Sequence, residues 1–254
     1  GKGEPLVLLH GAQGDSSTFN GVVDHLANHF MVITFDQRGS GQSEKPDIEY
    51  SMELLADDTV QLMQHLGIVS AHVFAVSLGG MIAQSLAVRY PDKVKSLMLG
   101  CTLPGGWSHA IKLYPTEQVQ LAFSDDDGIP PDTRAEALAA VAYAPDFSKR
   151  NPRIIQQLVD MRKNNPIDKV GMQRRLAMTD LYEGYGDLEK IKCPCLVVTG
   201  KLEQLIDWRN SVILSESISS SSLLVLEHSG HVFWDEEKNI FLSAYLSFLY
   251  PFLL

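Results

Sequence analysis

Along the first hundred residues, short unbroken apolar runs alternate with stretches whose apolar residues recur at three and four positions. The runs are Leu6-Val7-Leu8-Leu9, Met31-Val32-Ile33-Thr34-Phe35, Ala71 to Ala75 and Val94 to Gly100. Each is short and closed by turn-forming residues, as expected of strands buried on both faces of a parallel sheet. Between them, Thr18 to Asn28 reads as a helix. A second helix starts at the cap residue Ser51, with Leu54, Leu55, Leu62, Met63 and Leu66 on one face. A third runs from Leu78 to Tyr90 and is stopped by Pro91. Strand, helix, strand with short connections predicts a parallel sheet wound with helices on both sides.

The alternation breaks at Pro104-Gly105-Gly106. From Trp107 to about Gly186 no β-type run occurs, only helical patches around Arg134–Ala142, Pro152–Lys163 and Val170–Leu181. It resumes with Leu196-Val197-Val198-Thr199 and Leu223-Leu224-Val225-Leu226, followed by a closing helix from about Glu236. The last two strands need the first sheet to pair with. The pattern therefore predicts one α/β core, residues 1–104 and 187–254, carrying a helical cap inserted over 105–186.

Composition narrows the class without choosing a chemistry. The 254 residues are 45% hydrophobic and 20% charged, as in an ordinary globular chain. A formal charge of −10 argues against a nucleic-acid partner and against an anionic membrane surface. The three cysteines, Cys101, Cys193 and Cys195, form no wide framework and read as buried free thiols that pack in the core. Cys193-Pro194-Cys195 has no partner pattern for zinc, so no metal is expected. The apolar tail from Phe241 to Leu254 is too short to span a bilayer and is interrupted by Pro251, so a docked helix is expected. No secretory signal opens the chain at Gly1-Lys2-Gly3, and a cytoplasmic location is the expectation.

Reactive residues gather at the ends of the expected strands. Ala75-Val76-Ser77-Leu78-Gly79-Gly80 lies between a strand and a helix, where a serine held in a strained turn projects its hydroxyl above the sheet. Leu8-Leu9-His10-Gly11-Ala12-Gln13-Gly14 follows the first strand. The amides of Ala12 and Leu78 are placed to form an oxyanion hole, with His10 bracing the loop. His228-Ser229-Gly230-His231 follows the last strand; His231 is read as general base and His228 as packing. Glu203, three positions past Gly200, is the leading candidate to orient that base, with Asp207, just before Trp208, as its rival. Gln13, Trp107 and Val232 are expected in the substrate pocket.

With these residues the chain resembles the α/β-hydrolase superfamily, especially its small esterases and 3-oxoadipate enol-lactonase-like hydrolases. The resemblance covers Pro5 to Gly11, Asp36-Gln37-Arg38-Gly39-Ser40-Gly41-Gln42-Ser43, the serine turn, Cys193 to Gly200 and Gly230-His231. It implies a mostly parallel sheet under a helical cap and no cofactor. By position, Ser77, Glu203 and His231 match the family's triad, and Ala12 and Leu78 its oxyanion-hole residues. The chain departs from the pattern with Ala75 in place of the usual Gly and Glu203 where Asp is typical. It also begins where family members carry a preceding β-hairpin, which leaves six parallel strands.

The expected reaction is cleavage of a small-molecule carboxylic ester or lactone through an acyl-enzyme on Ser77. The expected protein is a monomer or homodimer. A thioesterase, a carbon–carbon bond hydrolase or a peptidase would use the same residues. A non-hydrolytic tailoring enzyme or a ligand-binding member of the fold is the contrasting class.

Overall fold

In β1 (Glu4–Leu9), Val7 and Leu9 enter one core cluster while Leu6 and Leu8 enter another. Successive side chains point to opposite faces of a strand, so an unbroken apolar run is buried only when both faces are covered. The same division recurs along β3 (Ala71–Val76), β4 (Val94–Gly100) and β5 (Cys195–Gly200). Together with β2 (Phe30–Thr34) and β6 (Ser221–Leu226) these form a six-stranded sheet in the order β2-β1-β3-β4-β5-β6. Every neighbouring pair is parallel. This is the computed structural model of residues 1–252; Leu253 and Leu254, the last residues of the expected tail helix, lie outside the described residues.

Helices cover the two faces. On one side pack α1 (Asn20–Ala27), α10 (Phe233–Glu236) and α11 (Lys238–Leu249), which supply Val22, Leu26, Phe233, Trp234, Phe241 and Tyr245. On the other pack α2 (Met52–His65), α3 (Leu78–Arg89) and α9 (Arg209–Ser217), through Leu55, Met63, Met81, Leu86 and Leu214. Each fully buried Leu or Phe contributes about 1.5–3 kcal/mol, so these two layers dominate the stability of the core. The Ser51 hydroxyl accepts from the Leu54 amide at 3.1 Å and caps α2.

Several expected boundaries shift. The stretch from Thr18 is split into a 3₁₀ turn, Ser16–Phe19, capped by Asp15, and then α1. β2 ends at Thr34, before Phe35. Between β4 and β5 the chain forms α4 (Glu117–Phe123), α5 (Pro131–Ala142), α6 (Pro145–Arg150), α7 (Pro152–Asn164) and α8 (Lys169–Leu181). The short α4 and α6 were not legible, because neither is long enough to display a helical period. Among the described residues, no helix is long and apolar enough to cross a membrane.

Candidate active site

The end of β3 and the start of α3 force Ser77 into φ 55° and ψ −126°, a region that L-residues rarely adopt. Backbone contacts on both sides hold this strain. The Ser77 amide donates to Gly100 O at 2.9 Å, and the Thr102 hydroxyl donates to Ser77 O at 2.6 Å. Two residues on, a Cβ at Gly79 would lie 2.3 Å from Leu9 O, so the turn closes against β1 only because that side chain is missing. Ala75 stands where the resemblance expected Gly and is fully buried in the core.

Leu78 begins α3, and an N–H at the first position of a helix has no acceptor within the helix. Gly11, Ala12, Gln13, Ser77, Leu78 and His231 all line one cavity of about 760 Å³. The loop carrying Ala12 is braced from below by His10. The imidazole Nε2 of His10 accepts from the Gln37 amide at 3.2 Å, and the Gln37 side chain donates to His10 O at 3.0 Å. Burial, aided by the positive charge of Arg175, pushes the His10 pKa down to about 4, so the ring is neutral at ordinary pH. Arg38, from the same turn, donates to Asp58 on α2 at 2.7 and 2.6 Å.

After β5, the chain brings Glu203 against the loop that follows β6. Glu203 Oε2 lies 2.5 Å from His231 Nδ1, and the glutamate side chain is completely buried. The contact at Nδ1 leaves Nε2 as the ring nitrogen free for proton transfer. Asp207 is engaged elsewhere: it accepts from the Arg209 amide at 2.9 Å and pairs with the Arg209 guanidinium at 2.5 Å. His228 is exposed, and its amide donates to Glu237 at 2.9 Å.

Gln13, Trp107 and Val232 all reach the cavity wall. Gln13 Nε2 donates to Ala122 O at 2.8 Å and Trp107 Nε1 donates to Thr179 Oγ1 at 3.2 Å, which ties both to the helices between β4 and β5. Leu103, Phe123, Leu138, Leu158 and Leu176 make much of the remaining wall apolar. Arg162 also lines it and pairs through Nη1 with Asp15 Oδ2 at 2.9 Å.

Some residues at the site carried no readable signal in the sequence. Cys101, at the end of β4, has φ 42°, and its Sγ lies within 4.8 Å of the donor atoms of Glu203 and His231. Burial raises its thiol pKa, and the Glu203 charge adds to the effect. Cys101 and Cys195 are buried, but Cys193 is only half-buried, which corrects the expectation of three buried thiols. Glu236 and Glu237, read only as the start of a helix, accept hydrogen bonds from the loop that bears His231.

A parallel sheet with a serine turn, a Glu–His pair and a shared cavity at its strand ends defines an α/β hydrolase. Residues 4–238 match the family model described as alpha/beta hydrolase fold, and the chain belongs to that family. A proline iminopeptidase of Lactobacillus helveticus is 30% identical, over 94% of this chain and 87% of its own. The 3-oxoadipate enol-lactonase 2 of Acinetobacter baylyi is 25% identical, over 94% of this chain and 86% of its own. Among solved structures, the enol-lactonase from Burkholderia xenovorans LB400 superposes with a TM-score of 0.84 at 25% identity, covering 98% of this chain and 92% of its own.

Proposed function

We propose that this hydrolase cleaves carboxylic esters or lactones through an acyl-enzyme on Ser77. The observation that carries the reading is the Glu203–His231 pair at 2.5 Å, with His231 and the strained Ser77 on the wall of one cavity. In this mechanism His231 Nε2 takes the Ser77 proton as Oγ attacks the carbonyl carbon. The amides of Ala12 and Leu78 stabilise the negative oxygen that develops. His231 then protonates the leaving alkoxide, and the acyl-enzyme is cleared when His231 activates a water molecule. Glu203 keeps the imidazole in the tautomer that presents Nε2 and stabilises the imidazolium.

The helices between β4 and β5 act as a cap, taken as residues 105–186, that covers the reacting groups and supplies much of the cavity wall. The apolar character of that wall favours substrates with an apolar acyl or alcohol group over small polar esters. The enol-lactonase and peptidase relatives are compatible with the same acyl-transfer machinery, and the leaving group is what differs. Treatment with a fluorophosphonate followed by intact-mass measurement tests the reading. One adduct is expected on the parent chain and none on Ser77→Ala. A folded parent that takes no adduct, or a variant that still takes one, overturns it.

A further inference from the structure

One carboxylate joins the His231 loop to the helices that wall the cavity. Glu236 Oε2 accepts from the Gly230 amide at 2.6 Å, while Oε1 of the same side chain accepts from the Ala144 amide at 2.7 Å. Gly230 immediately precedes His231, and Ala144 lies in the turn between α5 and α6. Two further contacts run in parallel. The Val232 amide donates to Ala142 O at 3.1 Å, and the Tyr143 hydroxyl donates to Asp235 Oδ2 at 3.0 Å. The segments touch so closely that a Cβ at Gly230 would lie 2.9 Å from the Ala144 amide nitrogen. Glu237, the next residue, holds only its own side of the junction, accepting from the His228 amide at 2.9 Å and the Ser229 hydroxyl at 2.7 Å.

We infer that Glu236 is a positioning residue that sets the His231 loop and the Ala142–Ala144 wall of the cavity together. The inference rests on His231 acting as the base. Its physical basis is that each oxygen of an ionised carboxylate accepts one of two facing N–H groups. A protonated or amidated side chain turns a donor toward one of them, so one bond is lost and that N–H is left unsatisfied.

The ionisation lies in a useful range. Burial pushes the Glu236 pKa up to about 7; the two backbone donors oppose the rise, and the charges of Glu203 and Asp235 add to it. Glu237, Lys238, Tyr143 and Cys101, whose Sγ lies 3.9 Å from Gly230 O, are the other ionisable groups around this junction, together with His231 itself. Above about pH 7 the ionised clamp is intact. Below it, Glu236 gains a proton and one arm opens.

The test compares the parent with Glu236→Gln and Glu237→Gln, using p-nitrophenyl butyrate and amide hydrogen exchange of the peptides containing Gly230 and Ala144. Glu236→Gln is expected to lower kcat/KM at pH 8 at least tenfold. It is also expected to speed exchange in one or both peptides, whereas Glu237→Gln leaves the Ala144 peptide as protected as in the parent. In the parent, kcat/KM loses an increment as pH falls through about 7 that Glu236→Gln, which has no proton to gain there, does not lose. Kinetics within twofold of the parent, with both peptides fully protected, would overturn the inference. Should Glu236→Gln not fold, the parent alone decides it. Loss of protection at Gly230 or Ala144 below pH 7, after correction for intrinsic exchange, supports the clamp, and unchanged protection removes it. A parent that turns over no ester counts against the proposed function, while the exchange data still judge the clamp.

Discussion

Glu203 and His231, 28 residues apart in sequence, meet at 2.5 Å because β5 and β6 are neighbours and both end at the same edge of the cavity. Asp207 lies only four positions beyond Glu203 yet faces Arg209 instead. The two acidic side chains are therefore separable by mutation. Glu203→Gln is expected to lower kcat by about 10²–10⁴-fold with little change in KM, because the imidazole loses its orienting charge. Asp207→Asn should stay within about threefold of the parent. Steady-state kinetics on an activated ester check both, and the reverse ranking would transfer the orienting role to Asp207.

Ser77 combines a proposed chemical role with a strained backbone. Ser77→Gly is expected to be inactive yet melt at a higher temperature than Ser77→Ala. Glycine adopts φ 55° without the penalty, about 1–3 kcal/mol, that a residue with a Cβ incurs. Calorimetric melting of the two variants checks this; equal melting temperatures would mean that the turn stores no strain.

The buried His10 gives a pH dependence of known sign. Its pKa is depressed in the folded chain to about 4, whereas an unfolded histidine titrates near 6.5. Between those values the unfolded chain binds more protons, so stability falls as pH drops from about 6.5 toward 4. His72, with its pKa likewise pushed to about 4 by burial and by the Lys95 charge, acts in the same direction. His10→Asn should flatten the loss of melting temperature across this window, even if it lowers stability at pH 8. A parallel pH dependence in parent and variant would rule out His10 as its source.

Thiol reactivity should follow burial. Cys101 and Cys195 are enclosed and their pKa values are raised by burial, and burial also pushes the half-buried Cys193 up to about 11. The folded chain at pH 8 is expected to react with Ellman's reagent at no more than one thiol over minutes, and at three after denaturation. Fast reaction of two or more thiols in the folded state would contradict the burial of Cys101 or Cys195.

Much of this architecture was legible because apolar runs in a doubly covered sheet are nearly unbroken. All six strands were located from runs such as Leu6–Leu9 and Val94–Gly100, to within a few residues. Ser77, His231 and Glu203 stood out because each follows a strand and carries reactive chemistry. The Glu236 clamp was illegible for the opposite reason. Its two partners are backbone amides, at Gly230 and at Ala144 far back in the chain, and a main-chain donor leaves no trace in side-chain identity. The short α4 and α6 were hidden by length, and the positive φ of Cys101 by a residue type that does not advertise it.

The strand order has a consequence for when the chain becomes chemically competent. β1 to β4 form one continuous stretch of the sheet and already include the turn that bears Ser77. Glu203 and His231 follow β5 and β6, which extend one side of that stretch and lie beyond the five intervening helices in the chain. A nascent chain or folding intermediate that has docked four strands therefore displays the Ser77 hydroxyl without His231 beside it. Under the proposed mechanism, a chain at that stage holds its nucleophile but neither the base nor the acid that orients it.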